Sequence, residues 1–176
     1  MMKGTIFSLI TNLFQGKRTR HSSETGIVPK AQEEIFALKA ANPADNLALL
    51  SRVYLPAETP KGLQPIFSVN EEGLMIAYMN LMKSDRILSI HHQYSSDPLK
   101  LLKAKSKSLS TKQIEEKLFY VAGDSRTEEL KNVYMIREDL LIQITAQGFS
   151  EAEFVNTLKG LIEINIDSKD VAPRSE

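Results

Sequence analysis

The most regular alternation of apolar and polar positions in the chain lies between residues 132 and 161. Two runs of β-branched, aromatic and aliphatic residues flank Arg137, Glu138 and Asp139, and turn-forming residues between two such runs predict an antiparallel hairpin. Past Gly148 the period changes. Ser150 and Glu153 have the spacing of a capping box, and Phe154, Leu158 and Leu161 recur at helical intervals, which predicts a closing helix that packs on the hairpin.

Upstream, residues 65–69 and 74–82 flank a turn at 70–73 and read as another hairpin. A turn at 84–86 leads into residues 87–94 and extends it to a meander of three strands. The stretch 74–82 is apolar on both faces and is expected at the centre of the sheet. Residues 118–122 resume as a strand. Between these, Asp97 and Pro98 look like a helix start, but Lys100, Lys103, Lys105, Lys107 and Lys112 follow with no acidic residue before Glu115, and this block is expected to be a solvated loop.

Nearer the N-terminus, residues 32–40 hold strong helix formers with Ile35 and Leu38 on one face. Asn42, Pro43 and Asp45 then carry the signals of a second helix start, running through Leu47 and Leu50. Residues 53–56 are expected to be extended, because Pro56 drives its predecessor out of the helical region. The expected organisation is an amphipathic helix over 1–16 built on Ile6, Phe7, Leu9, Ile10, Leu13 and Phe14, a polar linker over 17–29, an α+β domain over 30–165 and a flexible tail over 166–176. That domain is expected to hold an antiparallel sheet of about five or six strands, with N-terminal helices and a C-terminal helix packed on one face.

Composition narrows the function classes. A hydrophobic fraction of 42% with 25% charged residues suits an ordinary folded domain. Basic and acidic residues balance at 22 each, so no global field draws the chain to nucleic acid, and the lysine block lacks interleaved aromatics on which bases would stack. What remains for Lys100, Lys103, Lys105 and Lys107 is contact with phosphate or a lipid headgroup. Cysteine is absent, which excludes disulfides, thiol catalysis and thiolate metal sites. No apolar run approaches the roughly 20 residues that span a bilayer, and the apolar stretch 5–14 is not followed by a signal-peptide cleavage pattern, so a cytoplasmic location is expected. Lys17, Arg18 and Arg20 beside the first helix would support a weak peripheral membrane contact.

Candidate chemical groups are few. His91 and His92 are neighbours on a predicted strand, so their side chains diverge to opposite faces and cannot chelate one metal together. Asp97 could couple to either as an acid-base pair, yet no nucleophile or second ligand is marked by spacing. There is no nucleophile elbow and no phosphate-cradling glycine loop. Neither a catalytic residue, a metal site nor a cofactor is therefore expected.

The order in which residues 53–56 lead through Pro60, Lys61 and Gly62 into strands, then 119–123, then the hairpin 132–147, then Ser150 and Glu153 opening a final helix, resembles the domain of unknown function of Gram-positive envelope and anti-sigma-factor-like proteins. The resemblance spans roughly residues 54–161. That family is similar in architecture to lipoprotein-carrier and sigma-regulator periplasmic domains, whose curved antiparallel sheet wraps helices and can hold an acyl chain. This chain departs by lacking the usual preceding transmembrane helix and the tryptophan of the penultimate strand, where Tyr134 or Met135 stands. The resemblance implies an envelope-associated location. The residues themselves suggest a non-catalytic binding or sensing module: Leu74, Ile76, Tyr78, Ile142 and Ile144 are apolar enough to line a surface for a protein partner or an apolar ligand, although the first expectation for these five is plain core. The alternative is a small intracellular adaptor or structural subunit docking through its N-terminal helix.

Overall fold

Most of the alternating segments assemble into one antiparallel sheet. The structure is a computed structural model that describes residues 27–41, 50–123 and 130–166. Its elements run α1 (Ile27–Ala41), β1 (Arg52–Pro56), β2 (Gln64–Asn70), β3 (Gly73–Asn80), β4 (Lys83–Tyr94), α2 (Pro98–Lys105), β5 (Leu109–Ile114), β6 (Lys117–Ala122), β7 (Leu130–Arg137), β8 (Leu140–Gln147), α3 (Glu151–Lys159) and β9 (Leu161–Asn165). The main sheet has seven strands in the order β2-β3-β4-β8-β7-β6-β5, and β1 pairs with β9 in a separate ribbon of two. The class is the expected α+β with antiparallel pairing; the strand count exceeds the expected five or six.

Several strong local signals produce their elements. In the β2–β3 turn the Asn70 side chain accepts from the N–H groups of Glu72 and Gly73, at 2.9 and 3.0 Å. Ser150 and Glu153 cap α3 reciprocally, and Phe154 and Leu158 are buried from it. Gly148 separates β8 from α3 with φ +69°, and a Cβ there would lie 2.2 Å from the carbonyl oxygen of Asp85.

Several expectations are corrected. The lysine block is not a loop: Asp97 caps α2 by accepting from the Lys100 N–H at 3.0 Å, Pro98 takes the first helical turn, and the buried Leu102 holds the helix down. Lys112 belongs to β5, an edge strand whose residues 110–113 are exposed and whose Ile114 is buried. The meander turns at Leu81 and Met82 rather than at 84–86. Leu161 leaves the helix and opens β9. Residues 27–29 are helical rather than linker. Ile166 is fully buried, with its N–H donating to Ser51 at 2.8 Å, so the body extends past 165. The expected helix over 1–16, the linker up to 26, residues 42–49 of the expected second helix and the tail from 167 lie outside the described residues, while Leu50, expected within that helix, is non-helical and buried in the main core.

Strand pairing sorts side chains onto two faces. Phe67, Ile76, Ile90, Ile144, Val133 and Val121 line up across β2, β3, β4, β8, β7 and β6, and together with α1, α3, β1 and β9 they form the main core. A smaller cluster forms on the opposite face, where Leu102 of α2 meets Ala122, Tyr134 and Leu141. Helices thus flank both faces, not one.

Candidate interaction surface on the outer sheet face

The five residues that offered a possible ligand surface all point inward, as plain core. Leu74, Ile76, Tyr78, Ile142 and Ile144 belong to the main core and are at most 1% exposed. In this arrangement they are packing residues; the inner face presents no open apolar surface at these positions.

The two histidines diverge as adjacent strand positions must. His92 faces inward and is completely buried, and the Tyr54 N–H donates to its Nε2 at 2.9 Å, tying the β1 ribbon to β4. Burial pushes its pKa down to about 4. His91 faces outward, opposite Met75 of β3 and Gln143 of β8. Burial lowers its pKa too, with Glu72 opposing and Lys105 adding to the shift. Among the described residues no group of three or more histidines, cysteines and carboxylates stands where it could hold a metal ion.

Charged side chains mostly fasten elements to one another. Arg52 of β1 bonds Glu138 in the β7–β8 turn and lies 3.7 Å from Asp139 and 3.9 Å from Glu163 of β9. The Tyr54 hydroxyl donates to Glu163, and burial first, then that bond, raises the tyrosine pKa. At the start of α3, Glu151 pairs with Lys112 and Lys131 at 3.3 and 3.4 Å, while Arg86 pairs with Glu153 at 3.2 Å and stacks 4.6 Å from the Phe149 ring centroid. Of the proposed phosphate contacts, Lys100, Lys103 and Lys105 lie on α2 and Lys107 follows it; Lys105 pairs with Glu72 at 3.5 Å, and Lys100, Lys103 and Lys107 are exposed.

The outer face divides into two halves. Over β5 to β8, α2 closes it, and Leu101, Leu109, Tyr120 and Ile136 pack around the cluster it forms. Over β2, β3 and β4 no described helix lies on this face, and Ile66, Met75, Ala77, Met79 and Ile87 are half-buried there. Between the halves runs a polar strip: Ser89 and Thr145 hydroxyls meet at 2.5 Å, Gln143 donates to Asn132 at 3.3 Å, and Asn132 donates to the Tyr134 hydroxyl at 3.4 Å.

The uncovered half continues into the β3–β4 turn, whose Leu81 is 52% and Met82 91% exposed. The Asn80 side chain accepts from the Met82 N–H at 2.8 Å, so asparagine supplies the turn chemistry. The backbone therefore asks nothing of the side chains at 81 and 82, and apolar residues there leave surface in water that polar ones would not. Sequence reasoning missed both by running the apolar stretch through to residue 82. Asn80 was the available signal, as a turn former two residues before Met82.

No family model matches the chain, and neither does a curated protein or a solved structure. No described helix is long and apolar enough to cross a membrane.

Proposed function

We propose that the chain is a non-catalytic binding module that takes a protein partner on the uncovered outer face of β2, β3 and β4, with Leu81 and Met82 as anchors. The observation that carries this is the pair of exposed apolar side chains at a turn that does not need them. Single exposed apolar residues are ordinary on protein surfaces. Here two are adjacent, in the turn that joins the strand ends carrying the paired, half-buried Met79 and Ile87. The carrier-like reading, an acyl chain held between sheet and helices, is disfavoured because Leu74, Ile76, Tyr78, Ile142 and Ile144 fill that space as buried core.

A photo-crosslinking side chain placed at position 82 of the full chain, in cells, tests the proposal. A discrete crosslinked protein is expected there and not from position 113 on the opposite edge. Interface anchors are commonly worth about 2 kcal/mol each, so Leu81→Ser with Met82→Ser should weaken the captured complex by roughly thirtyfold or more while leaving the urea midpoint unchanged. Equal labelling at 82 and 113, or no product at either, would remove the proposal.

A further inference from the structure

We infer that the uncovered half of the outer face has an occupant within the same chain: the apolar segment of residues 5–14, which a binding partner must displace. The inference rests on that face being the docking surface. The structure supplies an internal precedent. The other half of the face is closed by α2, an eight-residue helix that buries Leu102 and half-buries Leu101. Residues 5–14 offer more of the same chemistry, with Ile6, Phe7, Leu9, Ile10, Leu13 and Phe14 and no charged residue among them.

Reach allows it. The first described residue is Ile27, at the start of α1, and α1 packs against β2, the edge strand of the sheet. The twelve residues 15–26 span roughly 40 Å when extended. Passing round β2 from one face to the other and crossing to β4 requires about 10 Å of sheet width plus a similar thickness. The segment's competitor in solution is any free apolar helix or a second copy of the chain. A tether of this length gives an effective concentration on the order of millimolar, which a free partner of equal affinity does not match at cellular concentration.

The absence of cysteine makes the test clean. In the full-length chain, Ile10→Cys with Met79→Cys should close a disulfide within one chain under mild oxidation, independently of protein concentration. Ile10→Cys with Gln113→Cys, on the far edge strand, should not. A bond formed between chains would assign the face to a second copy and overturn the inference, as would equal closure by both pairs or by neither. A second readout needs no cysteine: peroxide should oxidise Met79 several-fold more slowly in the wild-type chain than in Leu9→Asp with Leu13→Asp, with the buried Met135 as internal control. Equal rates would also overturn it. The two failures are distinguishable, because intrachain closure with no partner captured from position 82 keeps the segment on the face but removes the partner that would displace it, and partner capture without closure removes the segment and keeps the partner.

Discussion

His92 shows how one side chain couples distant parts of the molecule. It reaches from β4 to the backbone of β1, is fully buried, and stays neutral because burial pushes its pKa from 6.5 down to about 4. As pH falls, the unfolded chain takes up this proton near 6.5 and the folded chain only near 4. Stability associated with the neutral ring is therefore complete above about pH 6.5 and is lost progressively toward pH 4, by about 3 kcal/mol in all. His91, whose pKa is lowered as well, adds in the same direction. Glu138, Glu151 and Glu153 are lowered from 4.5 by their bonding partners and act in a separate window below that value. Urea unfolding of wild type and His92→Gln at pH 7, 5.5 and 4.5 should show a flatter pH slope in the variant, and parallel slopes would mean that the ring is not the titrating group. Little of this was legible beforehand: adjacency on a strand sent the two imidazoles to opposite faces, but which one faced inward depended on register.

At the scale of elements, α3 illustrates what a short segment specifies for itself. Its capping box and the spacing of Phe154 and Leu158 lie within nine residues, and the structure reproduces both. Leu158 is 1% exposed in the main core, so Leu158→Ala should cost about 2–5 kcal/mol, read as a shift of the urea midpoint. A loss below about 0.5 kcal/mol would place the helix outside the core. The elements that escaped sequence reasoning have weaker internal signals. In β5, Ser110, Thr111, Lys112 and Gln113 are all exposed, so it has no strand-like apolar alternation and is defined by pairing with β6. The lysines of α2 hid its apolar contact, because a helix seated on the sheet by Leu102 leaves most of its circumference to solvent.

At the scale of the described molecule, the first strand pairs with the last. β1 and β9 are joined over five residues, from Arg52 opposite Asn165 to Pro56 opposite Leu161, and Val53, Leu55, Leu161 and Ile164 bury into the main core. Ending the chain at Lys159 should therefore unpair β1, expose the inner face of the sheet and abolish the cooperative thermal transition followed by circular dichroism. An unchanged melting curve would show that the ribbon is dispensable.

Turn residues, caps and alternation determined the α+β class, both hairpins of the predicted strands and the closing helix, because each of those signals acts between residues a few positions apart. Tertiary structure alone decided that Leu74, Ile76, Tyr78, Ile142 and Ile144 are core, that β1 meets β9, and that half of the outer face lacks a described cover. Those outcomes depend on which distant segment lies across a given face. An apolar side chain in an alternating strand carries the same local signal whether another element buries it or leaves it in water.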